Sequence, residues 1–169
     1  MKKTIDIVFD NEISCETTEL FSELFNEAII RNRNVNLHFS TAGGVLNSEK
    51  TMVRIVNNFP NDIKVFCDGW LFSAGASFLA DLKKDIPVVL GDEVLMLLHS
   101  PSILLESRNT KKQSGLERFY HDYDEIMTDT YLKPFLPILT EEEIKLVKEG
   151  EDVVVTKDRV AKWLEIYRA

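Results

Sequence analysis

Gly69-Trp70-Leu71-Phe72-Ser73-Ala74-Gly75-Ala76 is the stretch on which the reading of this chain turns. It opens an uncharged run that extends from Gly69 to Ala80 between Asp68 and Asp81. That run is too short to cross a bilayer, which takes about 20 residues. A serine stands here between a strand-like run and a helix-like one, among small residues that would let another backbone come close. A helix beginning at Ala74 would aim the Ala74 backbone N–H at the serine oxygen, as an oxyanion donor. A plainer reading makes Ser73 the cap of a helix packed tightly on a sheet, and on this stretch alone that reading is the better one. The strained elbow of the α/β-hydrolases would need glycine where Leu71 stands, so that class is excluded.

Toward the N-terminus, Ile5, Ile7 and Phe9 alternate with polar residues and read as a strand. Leu20, Phe21, Leu24, Phe25, Ala28 and Ile29 recur at helical spacing, in a helix starting near Ser14 to Thr18. Val35, Leu37 and Phe39 alternate again and run into the small-residue turn Ser40-Thr41-Ala42-Gly43-Gly44. Met52, Ile55, Val56 and Phe59 mark a helix closed by Pro60, and Ile63, Val65 and Cys67 a third strand. Strand, helix, strand, helix, strand in this order implies a parallel sheet with right-handed crossovers, an α/β fold.

Toward the C-terminus, Gly69 to Leu82 reads as a turn and a core helix, and Val88 to Leu90 and Val94 to Leu98 as buried strands. Ile103 to Gly115 is charged and poor in apolar residues, as a loop or an exposed extension would be. Leu116, Phe119, Tyr120, Tyr123, Ile126, Met127 and Tyr131 form a long amphipathic helix ended by Pro134 and Pro137. Thr140-Glu141-Glu142-Glu143 is a capping box opening a short helix that stops at Gly150. Val153 to Val155 reads as a short strand, and Thr156 as the cap of a last helix carrying Val160, Ala161, Trp163 and Leu164.

The chain has 169 residues, is 44% apolar and carries a formal charge of −8, which suits one globular domain over 1–169 and argues against a nucleic-acid partner. Cys15 and Cys67 form no C-x-x-C, and two thiols make no framework, so a reducing cytoplasmic setting is expected. Asp6 and Asp10 break any signal-peptide core behind Lys2 and Lys3, and no membrane association is expected.

His38 lies on the polar side of its strand, and His121 falls between core positions of the long helix. His99 ends the strand Val94-Leu95-Met96-Leu97-Leu98, where open α/β sheets keep their active sites. A histidine satisfying its own turn is an equal reading there. Gly43-Gly44 permits positive φ and an anion-binding nest, although a plain strand-to-helix turn explains it as well. No Gly-Lys-Ser/Thr follows, so it is no phosphate-binding loop of the Walker type, and no third glycine makes it a dinucleotide fingerprint. The histidines lie far apart and no metal-ligand spacing occurs, so neither a metal nor a cofactor is expected.

Taken together, these segments resemble ClpP, the proteolytic subunit of Clp protease, within the crotonase-like superfamily. Thr41-Ala42-Gly43-Gly44 matches that family's Ser-Pro-Gly-Gly strand end. Gly69, Ser73, Gly75 and Ala76 match its Gly-x-x-x-Ser-x-Gly-Ala segment, and Leu97-Leu98-His99-Ser100-Pro101 loosely matches its histidine strand end. Asp152-Val153-Val154-Val155-Thr156 has the layout around its catalytic aspartate. The spacings agree as well: 99 − 73 = 26 positions from serine to histidine and 152 − 99 = 53 from histidine to aspartate.

The resemblance implies a fold of repeated β-β-α spiral units with a protruding handle helix, the handle region spanning approximately 102–135. It implies a serine peptidase with Ser73 as nucleophile, His99 as general base and Asp152 as the residue orienting the histidine. Gly43, Gly44 and Ala74 would form the oxyanion hole. It also implies a peptide or unfolded-protein substrate and a homo-oligomer, a heptameric ring or double ring, with an AAA+ unfoldase as a further partner. Asp158 competes with Asp152, but a place in the first turn of the last helix explains it by the helix dipole.

The chain departs from the family pattern at Ala42, at Ala74 and in Ser102 to Gln113, where the glycine-rich groove strand has no counterpart. Its first strand begins almost at the N-terminus, so an axial gating segment is expected to be short or missing. Two other classes use this fold: a non-catalytic ring scaffold, and a crotonase-type acyl-CoA enzyme, which would need neither Ser73 nor His99. A serine–lysine pair is excluded because Lys83 and Lys84 follow too closely on the next helix.

Overall fold

The computed structural model describes residues 2–101, 123 and 125–169. In chain order the strands and helices are β1 (Thr4–Asp10), α1 (Cys15–Ile30), β2 (Asn34–Ser40), α2 (Leu46–Asn57), β3 (Ile63–Cys67), β4 (Trp70–Phe72), α3 (Ala74–Asp81), β5 (Val88–Leu90) and β6 (Leu95–Leu98). Then follow helical residues 125–132 (α4), a 3-10 helix (Lys133–Ile138), α5 (Glu141–Lys148), β7 (Val153–Thr156) and α6 (Lys157–Tyr167). The expected loop at 103–115, His121, and the helix positions Leu116, Phe119 and Tyr120 lie outside the described residues, as does most of the handle region 102–135.

Two sheets form. One has the order β1-β2-β3-β5 and the other the order β4-β6-β7. Every pair in the first sheet is parallel, with Val35 opposite Ile5 and Ile63. The chain visits the sheets alternately: β3 in the first, β4 in the second, then α3, β5 in the first, β6 in the second. This β-β-α repeat is the α/β spiral that the family resemblance implies.

Period-two burial explains the first sheet. Ile7 and Phe9 of β1 and Val35, Leu37 and Phe39 of β2 are buried on one face, and Phe39 stacks on Phe78 of α3 at 4.0 Å. Phe21 of α1 meets Phe9 edge-on at 5.8 Å. The α1 stripe is narrower than its periodicity suggests. Thr18, Phe21, Phe25 and Ala28 are buried at i, i+3, i+7 and i+10, whereas Leu20, Leu24 and Ile29 fall outside that face and are exposed.

The helix starts follow local chemistry. Ser14 and Thr17 form a reciprocal capping box on α1, and Thr140 and Glu143 form the one expected on α5. Thr156 holds the cap position of α6 with extended dihedrals, but its hydroxyl makes no capping bond, a correction to its expected role. The helix expected to end at Pro134 and Pro137 does give way there, into the 3-10 turn that contains both. Strand β4 is the element missing from the sequence reading. Its three residues continue an apolar run into a helix, and only pairing with β6 reveals them as a strand.

The chain divides into two compact units, one of Met1–Leu97 with Val154–Ala169, the other of Leu98–Val153. Among the described residues no helix is long and apolar enough to cross a membrane. Cys15 and Cys67 are both free; Cys67 is buried, which pushes its thiol up to about 12.

Candidate active site

Within the larger unit, Ser73 sits at the junction of β4 and α3. Its backbone lies at φ 52, ψ −115, and its side chain makes no hydrogen bond to cap α3. The capping role that competed with catalysis is therefore not the one this serine plays. Positive φ is rare for a residue with a side chain, and it costs about 1–3 kcal/mol where the surroundings enforce it. Backbone bonds hold it here: the Ser73 N–H donates to the carbonyl of Leu97 at 2.9 Å, and the Ser73 carbonyl accepts from Ala76 N–H at 3.0 Å and from Ser77 N–H at 3.3 Å.

The Gly43-Gly44 turn closes on this junction. Both glycines have positive φ, 103 and 138. A Cβ built on Gly43 would stand 2.8 Å from Ser73 Cβ and 2.9 Å from the Phe72 carbonyl oxygen. A Cβ on Gly44 would stand 2.1 Å from the carbonyl oxygen of Ile13. Glycine is thus imposed at both positions by contact as well as by dihedral angle.

Thr41 ties the turn to the serine strand. Its N–H donates to the Trp70 carbonyl at 2.7 Å and its carbonyl accepts from Phe72 N–H at 3.1 Å. Its buried hydroxyl donates to the Asn11 carbonyl at 2.7 Å and accepts the Gly43 N–H at 3.0 Å. The Gly43 N–H is therefore already engaged, and what Gly43 offers this site is close approach. Among the described residues no hydrogen-bond partner occupies the N–H of Gly44 or of Ala74, the first residue of α3. Gly75 completes the fit, since a Cβ there would meet Thr41 Cγ2 at 2.5 Å. Thr41 was legible only as a motif position; its work as a clasp depends on pairing with a strand thirty residues away.

Glu49 is a further residue that sequence reasoning passed over. It lies in the first turn of α2, the helix that follows the glycine turn in sequence, where an acid looks like ordinary complement to the helix dipole. It is fully buried, and neither carboxylate oxygen has a hydrogen-bond partner. Lys50 Nζ comes within 3.4 Å of Oε2 but is turned to Asp81 of α3. Burial raises the Glu49 carboxyl to about 7, with Lys50 opposing the shift and Asp81 adding to it.

Within the smaller unit, the structure brings His99 and Asp152 together. His99 Nδ1 stands 3.5 Å from Asp152 Oδ1, a carboxylate beside the ring nitrogen farther from the imidazole tip. Both side chains are partly open to solvent, 40% and 61% exposed. His99 follows β6 directly, and Asp152 directly precedes β7. Asp158 lies in the first turn of α6, where the helix dipole accounts for it. His38, on the outer face of the first sheet, is held by different carboxylates, with Asp68 at 3.2 Å and Asp6 at 3.4 Å. Among the described residues no cluster of histidine, cysteine and carboxylate has a metal-binding arrangement.

A ring-stacked pair, Trp70 and Phe72, flanks the serine on β4. The backbone course of the chain as a whole matches a point mutant of ClpP1 from Listeria monocytogenes, with a TM-score of 0.65 over 94% of this chain and 86% of that one. This chain has a ClpP-like fold. Identity over the match is 17%, and neither a family model nor a curated protein matches the sequence. The likeness lies in the course of the backbone and extends over nearly the full length of both proteins.

Proposed function

We propose that this chain is a serine peptidase, with Ser73 as nucleophile, His99 as general base and Asp152 as the residue that orients the histidine. The observation that carries the reading is the backbone of Ser73. A serine held at φ 52 with no capping bond from its side chain to α3, and with a glycine turn pressed against its Cβ, has a costly conformation. A strained strand-to-helix turn is how a nucleophile is presented clear of its neighbours. The pairing of His99 with Asp152 in the other unit and the ClpP-like fold support the same reading.

In this mechanism His99 takes the Ser73 hydroxyl proton as Oγ attacks the substrate carbonyl carbon. The N–H groups of Gly44 and Ala74 receive the negative oxygen of the tetrahedral intermediate; losing one such donor costs roughly 10²–10³ in rate. His99 then returns the proton to the leaving amine, and water, deprotonated by His99, releases the acyl group from Ser73. Asp152 keeps the imidazole in the tautomer whose far nitrogen can accept the proton. The substrate is a peptide or an unfolded chain.

The chain acts as a homo-oligomer in this reading. Trp70, 55% exposed, and Leu95, 38% exposed, are paired on the outer face of the second sheet, an apolar surface that suits a second copy. Cleavage of fluorogenic peptides by the parent chain and by Ser73→Ala, with products read by mass and assembly read by light scattering, tests the proposal. Cleavage that survives Ser73→Ala refutes it.

A further inference from the structure

We propose that Thr128 and Tyr131 of α4 are positioning residues for His99, holding the chain at 99–100 so that the imidazole meets Asp152. The inference rests on the reading of His99 as general base. Both residues are buried, at 3% and 9% exposed, and a spacing of three puts them on one face of the helix. Thr128 Oγ1 lies 2.6 Å from Ser100 Oγ. Tyr131 shares a hydrogen bond with the backbone of His99 that favours its phenolate form, so the His99 N–H donates and the phenol oxygen accepts. Burial outweighs that bond and raises the phenol above its ordinary value, which leaves Tyr131 a neutral acceptor. One helix face thus engages two consecutive residues, the proposed base and its neighbour.

Packing alone does not call for these polar atoms. Phenylalanine and valine would fill the same space, and buried hydroxyls cost stability unless bonded. The pair of His99 with Asp152 is 3.5 Å long with both partners partly exposed, where one such pair contributes little. Rigidity at the backbone of His99 adds to what that pair contributes. Displacement of a catalytic group by about 1 Å can cost on the order of 10² in rate.

The test uses the full chain with Tyr131→Phe, Thr128→Val and both together, and Thr128→Ser as the hydroxyl-keeping control. Ring-nitrogen NMR of His99 reports its tautomer and titration, and kcat and KM are read on a fluorogenic peptide. We expect kcat to fall about tenfold in Tyr131→Phe and in Thr128→Val, with KM changed by less than about twofold. The His99 ring signals should move toward a tautomer mixture while those of His38 stay in place, and Thr128→Ser should behave as the parent. Unchanged His99 signals with unchanged kcat in Tyr131→Phe, which keeps the ring that packs against Phe135 at 5.9 Å, would overturn the proposal. If the parent cleaves no peptide, the peptidase reading fails by itself and the His99 signals alone decide this one.

Discussion

The two regions that carry the proposed chemistry are held in different ways. Around Ser73 the fixing is done by backbone: two positive-φ glycines, a positive-φ serine, and Thr41 hydrogen-bonded to Trp70, Phe72, Asn11 and Gly43. Around His99 it is done by side chains: a 3.5 Å pair with Asp152 and the hydroxyls of Thr128 and Tyr131 behind it. The difference teaches which changes each region tolerates. A region locked by backbone contact breaks when atoms are added. A region held by side-chain bonds loosens when single atoms are removed, and the fold survives.

The largest effect tests the backbone-held side. Ser73→Ala should lower peptide cleavage by about 10⁴–10⁶, as loss of a covalent nucleophile does, with melting little changed. Gly44→Ala comes next and should act on the fold. Its Cβ would meet the Ile13 carbonyl oxygen at 2.1 Å at a φ of 138, so we expect a loss of about 4 kcal/mol or more in urea unfolding. A Gly44→Ala chain as stable as the parent would show that the turn can shift and would remove the ground for calling it locked.

Glu49 sharpens the contrast through pH. Its carboxyl is raised from 4.5 to about 7, so the folded protein binds this proton more tightly than the unfolded chain does. The stability linked to it is full below about pH 4.5 and lost as pH rises through about 7, a change of about 3 kcal/mol. Glu49→Gln should remove that slope between pH 4.5 and 7 and make the protein more stable at pH 8, measured by chemical unfolding across the range. On the side-chain-held region, Asp152→Asn should reduce kcat by about 10²-fold and leave melting within a degree or two, since the aspartate is 61% exposed. The smallest effect is a gain in stability, again at the serine. Ser73→Gly should abolish cleavage as Ser73→Ala does, yet unfold at higher denaturant by about 1 kcal/mol, because glycine relieves the strain at φ 52.

Periodicity made most of the fold legible. The alternation of Val35, Leu37 and Phe39 marked β2, and the spacing of Phe21, Phe25 and Ala28 marked α1. Both signals are local and survive in a single sequence. Strand β4 was hidden because three apolar residues beside a helix carry no period of their own. Of the candidate site, Ser73, His99 and Asp152 were legible as residue types in order. Their surroundings were not, since contact between Gly43 and Ser73, the clasp of Thr41 on Trp70 and the burial of Glu49 all arise from segments far apart in the chain. Gly43 shows the limit most clearly. As a motif glycine it was expected to donate to an oxyanion, and the fold instead spends its N–H on the hydroxyl of Thr41.

The central claim is that Ser73 is an activated nucleophile served by His99. Intact-mass analysis after incubation with a fluorophosphonate probe tests it directly, on the parent chain beside Ser73→Ala and His99→Ala. The account predicts one adduct on the parent and none on either variant. An adduct that persists in Ser73→Ala, or no adduct on a parent shown to be folded and assembled, would contradict it.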